Sequence, residues 1–359
     1  MEIQPAVTEK PFQNPIPLNP VYRQPSTVHR QTMNQNQIQQ ILHDHAFPGE
    51  KGPAELVQTL ISWVILTPQY AFKIKKPVQF PFLDFSSPEK RKVCCEAEVR
   101  LNNRLTEGIY LGVLPIRLVE GASRIGGTGG EIVDYAVQMI RLDDRRQMSR
   151  LLRSGGVTPE DMQQLARQLA VFHTFTEKIR TPFDKSAAQA DFEDILKVKR
   201  TVEIRFGGPA AALLDRAVDF SDRFLNAHGG RLEQRIRAGL FLDGHGDLHS
   251  NNIFLLNEPV IFDCIEFNEH LRRVDALNEV AFLCMDLNFY GRDDLEQIFL
   301  DAYSREFPAV RKEADRKIFH YFKLYRANVR AKVHLLNEEW TTAGKYLELM
   351  KQYLEAAAF

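Results

Sequence analysis

Phe241 to Asn252 reads FLDGHGDLHSNN, which sets His245, Asp247 and Asn252 in the pattern H-x-D-L-x-x-x-N, and Asp263 follows at the end of a Pro-Val-Ile-Phe run. These residue types at this spacing suit phosphoryl transfer. One aspartate orients an attacking hydroxyl and takes its proton. An asparagine further along turns back to a metal ion that bridges nucleotide phosphates. A second aspartate, delivered by a strand after a hairpin, holds the same ion from the other side. On this reading Asp247 and His245 are the catalytic pair, with His245 fixing the loop by hydrogen bonding, and Asn252 and Asp263 are oxygen ligands to Mg²⁺. Two rivals stand beside it: an inert polar loop, and a zinc site at His245 and His249, whose spacing is that of two ligands on a helix. Gly244 and Gly246 argue against a helix here, and the glutamate of H-E-x-x-H is missing.

The surrounding elements must place these groups. Leu56 to Leu66 is apolar and β-branched, Thr67-Pro68-Gln69 makes a turn, and Tyr70 to Lys76 continues as a strand. Tyr70-Ala71-Phe72-Lys73 has the x-A-x-K form of a strand whose lysine projects to the α- and β-phosphates of a nucleotide. Lys75 and Lys76 compete for that role; alternation puts Lys73 and Lys75 on one face and Lys76 on the other. Pro88 to Leu105 follows as a helix with Val93, Ala97, Leu101 and Leu105 as its buried stripe. Glu98 lies beside that stripe and is the expected partner of the lysine, with Glu96 as the alternative. A phosphate-covering turn is expected at Thr59 to Ser62, the Ser62 hydroxyl bonding phosphate oxygens. Leu111 to Val119 and Ile132 to Ile140 read as strands joined by a hairpin turn at Gly126 to Gly130, which lacks the G-x-x-x-x-G-K-[ST] of a P-loop.

From Thr158 the pattern turns helical: Thr158 is an N-cap, Pro159 opens the first turn, and Glu160 and Asp161 follow. Met162, Leu165, Ala166, Leu169 and Phe172 form the apolar face, with His173 as a satisfied core histidine. Ala190 to Gly239 carries two or three further amphipathic helices, and helices return from Asp275 to Phe359. In the last block Ile318, Phe322, Tyr325, Val329, Val333 and Leu336 form a seam, while Lys323, Arg326 and Arg330 share another face. That face reads either as solvated or as an anion-binding wall at an acceptor site.

The chain has 359 residues, 44% hydrophobic and 26% charged, enough for a large core in two or three domains. A net charge of −1 gives no general attraction to nucleic acid or a membrane surface. No run reaches the length of a spanning helix, no signal pattern opens the chain, and four cysteines without a C-x-x-C fit reduced thiols in a cytoplasm. Six of the eighteen prolines fall in the first forty residues, so residues 1–35 read as an extended or disordered arm.

The YAFK strand, Glu98, HGDLHSNN and the strand ending IFDCIEF together resemble the aminoglycoside phosphotransferase-like family of the protein-kinase-like fold. The run RRVDALNEVAFLCMDL is similar to a bacterial, largely uncharacterised subgroup, in which Arg273 and Asp275 would buttress the site. The resemblance covers roughly residues 38 to 340, and HGDLH in place of HRD points to its small-molecule branch. It implies an α+β, two-lobed fold: residues 36–141 as a nucleotide-binding lobe with an antiparallel sheet and a helix, and 142–359 as a mostly helical lobe with the catalytic loop and acceptor site. Met139, Ile140 and Arg141 would form the crossover that offers backbone groups to adenine. The expected activity is an ATP- or GTP-dependent, Mg²⁺-assisted kinase acting on a hydroxyl of a small metabolite, with Glu266, Lys323, Arg326 and Arg330 near the acceptor. The alternatives are a nucleotide-binding pseudokinase and, more remotely, a protein kinase; Cys264-Ile265 after Asp263 gives no activation segment of that kind. Oligomeric state is not encoded in any of these features.

Overall fold

The structure, a computed structural model, describes residues 33–49 and 52–357; of the expected N-terminal arm, residues 1–32 lie outside the described residues. The protein is α+β, and its described residues divide into two units. One takes the chain up to Asn103 together with Glu107–Arg141, and the other takes Arg104–Thr106 and everything from Leu142.

The first unit begins with helix α1 (Gln35–His43), started by Asn34, whose side chain accepts from the N–H groups of Asn36 and Gln37. Strands β1 (Glu55–Gln58), β2 (Ser62–Leu66) and β3 (Tyr70–Lys75) follow as a meander, then the short pair β4 (Gln79–Phe80) and β5 (Leu83–Asp84), helix α2 (Pro88–Asn102), and strands β6 (Tyr110–Val119), β7 (Ala122–Ile125) and β8 (Glu131–Ile140). The main sheet runs β1-β2-β3-β8-β6-β7, antiparallel throughout. Alternation along β3 decides what each face does. Phe72 and Ile74 join Trp63, Ile65, Ile116 and the α1 residues Ile38 and Ile41 in one apolar core, while Lys73 and Lys75 point to the face covered by α2.

Two details differ from the sequence expectation. The loop between β6 and β8 contains the strand β7, so Gly126 to Gly130 turns β7 into β8 rather than joining two long strands directly. Helix α2 stops at Asn102, and Val93 is 64% exposed. Its buried face is instead Arg91, Cys95, Glu98, Leu101 and Asn102. The apolar periodicity misled because this face is held by charge. Arg91 lays a bidentate fork on Asp134 of β8, at 2.9 Å from Nε to Oδ1 and 2.8 Å from Nη2 to Oδ2, and donates to the Phe85 carbonyl at 2.7 Å.

The second unit is mostly helical: α3 (Met148–Ser154), α4 (Pro159–Phe175), α5 (Lys185–Glu193), α6 (Lys199–Phe206) and α7 (Gly208–Arg237) precede the strand β9 (Phe241–Asp243). The hairpin β10 (Ile253–Leu255) and β11 (Pro259–Ile261), the short α8 (Glu269–Arg272) and β12 (Arg273–Asp275) come next, and β12 pairs with β9. Helices α9 (Ala276–Phe289), α10 (Asp293–Glu306), α11 (Glu313–Leu336) and α12 (Trp340–Ala357) complete it. Thr158 caps α4 in a capping box with Asp161, as its sequence demands. Every residue of α9 from Ala276 to Leu287 is buried, and α11 packs on α7, α9 and α12. Among the described residues no helix is long and apolar enough to cross a membrane.

Because Arg91 and Asp134 are both fully buried, removing one partner leaves an uncompensated charge. Asp134→Ala is expected to cost about 3–5 kcal/mol in urea unfolding of the full chain. A loss below about 1 kcal/mol, the range of exposed pairs, would show that the fork does not hold α2 to the sheet.

Candidate active site

In the first unit, Glu98 is fully buried and serves two lysines. Lys73 Nζ lies 2.8 Å from Oε1 and Lys75 Nζ 2.7 Å from Oε2. Glu96, the alternative partner, is exposed beside Lys92 at 3.7 Å. Both lysines share the face that alternation assigns them, but they are not equivalent. The Lys75 side chain is 1% exposed and sits 5.0 Å from the centre of the Phe85 ring, whereas Lys73 keeps 13% of its side chain exposed. Burial alone would raise the Glu98 carboxyl; the two ammonium groups outweigh it and hold the group well below the usual carboxylate range.

One expectation for this unit needs correction. The Thr59 hydroxyl is engaged in its own turn, accepting from Ser62 N at 2.9 Å, and Ser62 itself is fully buried. The Ser62 side chain therefore does not present its hydroxyl at the surface of the turn. At the end of β8, Met139 is buried and pairs with Ala71 and Tyr110. Ile140 N donates to Ile109 O at 2.9 Å and Arg141 N to Gln69 O at 2.8 Å. Those two N–H groups are thereby occupied by the sheet, and Arg141 reaches Glu55 at 3.2 Å with its side chain.

The second unit holds the H-x-D-L-x-x-x-N loop as a set of interlocked backbone bonds. His245 Nδ1 accepts from Asp247 N at 3.1 Å, so the ring proton lies on Nε2, which donates to Phe262 O at 2.9 Å. Burial pushes the His245 imidazolium down, which favours this neutral form. With both nitrogens engaged, His245 has none left for zinc, and the zinc reading falls. Asn252 Nδ2 donates to the Asp247 carbonyl at 2.9 Å and to its Oδ2 at 3.0 Å. Phe262 N donates to Asn252 O at 3.1 Å and Ile265 N to His245 O at 3.1 Å, so the β10–β11 hairpin is stitched to the loop on both sides of Asp263. Asp263 has φ +64, a left-handed backbone that aspartate tolerates and β-branched residues do not.

His249 was not singled out from the sequence except as a zinc ligand, and it has another place. Its Nδ1 accepts from Asn251 N at 3.2 Å, and its Nε2 lies 3.4 Å from Asp247 Oδ2 without making a hydrogen bond. Burial by itself would raise the Asp247 carboxyl. His249, then Arg330, more than offset this and hold it far below the usual range.

Two acidic residues in the apolar helix α9 hold the loop from behind. Glu279 Oε1 accepts the N–H groups of His245 and of Gly246, the latter at 2.7 Å, while Oε2 receives His173 Nε2 at 2.7 Å. His173 Nδ1 in turn meets the Tyr303 hydroxyl at 2.6 Å, so the expected satisfied core histidine is the support of that carboxylate. Asp286, two turns further along α9, accepts Ser250 N at 2.8 Å. Gly244 must be glycine, because a Cβ there would collide with the Glu279 carboxylate, and at Gly246, φ +87, it would lie 2.7 Å from Leu271 O. The signal for Glu279 and Asp286 was present in the sequence: acidic residues inside an otherwise apolar helix must find partners.

Below the loop, Asp243 gathers arginines. Arg272 forks onto it at 2.8 and 3.0 Å and donates to Ile265 O at 3.0 Å, and Arg104 joins at 2.7 Å. Arg272, not Arg273, is therefore the supporting arginine; Arg273 stands 3.8 Å from Asp243 and pairs with Glu269 at 2.7 Å. Asp275 caps α9 through Leu277 N and binds Arg235 at 2.7 Å.

The expected stripe on α11 is neither solvated nor a shared wall. Lys323, Arg326 and Arg330 are all buried, because α11 packs on neighbours around almost its whole circumference. Lys323 bonds Glu296 at 2.7 Å and Asn288 at 2.9 Å. Arg326 bonds Asn278 at 2.7 Å and the Gly246 carbonyl at 3.1 Å, with its guanidinium 4.5 Å from the centre of the Phe282 ring. Arg330 reaches Tyr346 at 3.4 Å. Glu266 is partly exposed.

For Mg²⁺ the donor chemistry fits. Asn252 gives its amide nitrogen to Asp247, so its carbonyl oxygen would be the atom to meet a cation, and Asp263 would add a carboxylate. Two hard oxygen donors suit an ion that keeps waters and substrate phosphates as its other ligands.

No protein-family model matches the chain. Uncharacterized proteins of Mycobacterium bovis and Mycobacterium tuberculosis are 31% identical over 313 residues, which is 84% of this chain and 59% of theirs. The chain thus spans 59% of the length of these curated relatives. Among solved structures, a choline kinase from Cryptosporidium parvum superposes with TM-score 0.56 at 13% identity, covering 89% of this chain and 95% of that one. The chain has a protein-kinase-like fold. A Plasmodium vivax ethanolamine kinase shares this kinase-like fold at TM-score 0.50 and 11% identity, over 90% of this chain and 87% of that one.

Two measurements check the loop and the lysine pair. Glu279→Gln removes the acceptor charge shared by His245 N and Gly246 N, and is expected to cost about 1–3 kcal/mol and to speed hydrogen exchange at those two amides. Unchanged exchange there would show that Glu279 does not hold the loop. Glu98, with its pKa depressed, contributes stability that is complete above the ordinary carboxylate range and is lost as pH falls. The full chain should therefore lose more stability between about pH 5 and about pH 3 than Glu98→Gln does; parallel curves would refute the assignment.

Proposed function

We propose that the chain is a nucleotide-dependent phosphotransferase that moves the γ-phosphoryl group of ATP or GTP to a hydroxyl of a small molecule. The observation that carries this is the interlock of the second unit. Asn252 is bonded to Asp247 on one side and to the strand that delivers Asp263 on the other. An inert polar loop has no need of that arrangement. The fold shared with a choline kinase and an ethanolamine kinase supports the same reading.

In the proposed reaction Asn252 Oδ1 and Asp263 hold Mg²⁺, which when bound neutralises charge on the transferring phosphoryl group. Lys73, steadied by Glu98, takes the α- and β-phosphates, with Lys75 supporting the same carboxylate from the interior. Asp247 orients the acceptor hydroxyl. Because its carboxyl is held so far below the usual range, it is a weak base and takes the proton only late in transfer. That suits a loose transition state, in which positioning and charge neutralisation supply most of the rate. It also means that the acid limb of a pH–rate profile comes from groups other than Asp247. Retention of Lys73, Asp247, Asn252 and Asp263 together argues against a pseudokinase.

A screen of hydroxylated metabolites for consumption of ATP or GTP tests the activity. On a positive acceptor, Asp247→Ala is expected to lower turnover by about 10²–10⁴-fold while nucleotide affinity stays the same. Turnover within about tenfold of the unaltered chain would remove Asp247 from the reaction. Asn252→Ala and Asp263→Ala should each raise the Mg²⁺ concentration needed for half-maximal rate.

A further inference from the structure

Of the three buried cations on α11, two are fully engaged and one is not. Lys323 and Arg326 each have two hydrogen-bond partners within 3.1 Å. Arg330, 4% exposed, has only the long contact from Nε to the Tyr346 hydroxyl at 3.4 Å, and its Nη1 is buried without a hydrogen-bond partner. Asp286 and Asp247 attract it, yet neither forms an ion pair with it. A buried guanidinium with an unpartnered N–H is costly, and a ligand that supplied an acceptor there would offset that cost.

The surroundings point the same way. One helical turn on, His334 gives Nδ1–H to Glu339 at 2.5 Å, which leaves Nε2 as a lone-pair nitrogen, buried and without a partner. Both side chains lean on Tyr346 of α12: the His334 ring stacks on it at 5.3 Å, and the Arg330 guanidinium lies 5.6 Å from its centre. Arg330 acts electrostatically on Asp247, and His334 feels both Arg330 and His249, which itself faces Asp247. An unused donor and an unused acceptor thus sit together beside the aspartate that orients the acceptor hydroxyl.

We infer that the acceptor is a hydroxylated oxyanion, a carboxylate or a phosphate ester, whose charged group is taken by Arg330 Nη1 and one of whose hydroxyls donates to His334 Nε2. This rests on the phosphotransfer reading of Asp247 for the role of the site, though the binding itself does not. Burial makes the site selective, because a neutral or cationic acceptor leaves the guanidinium unpartnered.

The test is binding to the full chain, measured by calorimetry with glycerol 3-phosphate, glycerate and glycerol, which are close in size and differ in charge, and with inorganic phosphate. At least one of the two organic anions should bind about tenfold or more tightly than glycerol, and the stronger of the two tells phosphate ester from carboxylate. Arg330→Gln should weaken that anion by about 10–100-fold, the loss of a charged hydrogen bond, with nucleotide affinity unchanged. Arg330→Lys, which keeps the charge and loses the fork, should fall between. His334→Phe keeps the stacking on Tyr346; it should weaken the hydroxylated anion and leave inorganic phosphate alone. If Arg330→Gln does not fold by circular dichroism, the other two variants decide. Anions that bind no better than glycerol, or as well to the Arg330 variants as to the unaltered chain, overturn the inference. Binding of the anion as described, without nucleotide consumption on any acceptor, overturns the phosphotransfer proposal and leaves the oxyanion site standing.

Discussion

The larger unit depends on one buried carboxylate. Glu279 sits in the middle of an apolar helix and gives both of its oxygens away, one to two consecutive backbone N–H groups of the loop and the other to His173. A carboxylate buried there would be ruinous unless each lone pair had a donor, and the loop supplies donors only by curling back over it. Gly244 and Gly246 make that curl sterically possible. Burial disfavours the ion, but the hydrogen bonds from His173 and the Gly246 N–H outweigh it, so the group remains an anion and the loop remains attached. The shape of the loop follows from this attachment, and the directions of Asp247 and Asn252 follow from the shape.

The smaller unit solves a different problem with a related device. Glu98 is one anion shared by two ammonium groups. Lys75 is fixed in the interior against Phe85. Lys73, anchored at the same carboxylate, retains an exposed portion of its side chain. The two lysines thus differ in burial although they share one carboxylate.

What the sequence could reveal depended on whether the determinant was local. The spacing of His245, Asp247 and Asn252, the alternation of Lys73 and Lys75, and the Thr158 cap are set by residues a few positions apart, and all were readable. Helix α2 was misread at Val93 because periodicity counts apolar residues, while its inward face is made of Arg91 and Glu98 with partners on the sheet. The cations of α11 were misjudged for a similar reason. A stripe of charge looks solvated unless the neighbours of the opposite face are known, and these come from α9 and α12, far away in the chain. The burial of Ser62, and the bonds made by the N–H groups of Ile140 and Arg141, come only with the assembled turn and sheet. Glu279 and Asp286 were visible as anomalies in an apolar run, but nothing local named the amides they would meet.

The manner of attachment has a consequence for how such a site can change over time. Glu279 and Asp286 grip main-chain N–H groups, which every residue but proline possesses, rather than particular side chains. The partly exposed Asn251 can therefore be exchanged without redrawing the path of the backbone, so long as α9 keeps its two acids and the glycines stay. Substitutions there can accumulate one at a time on a frame already in place, whereas a change at either acid of α9 removes the frame itself.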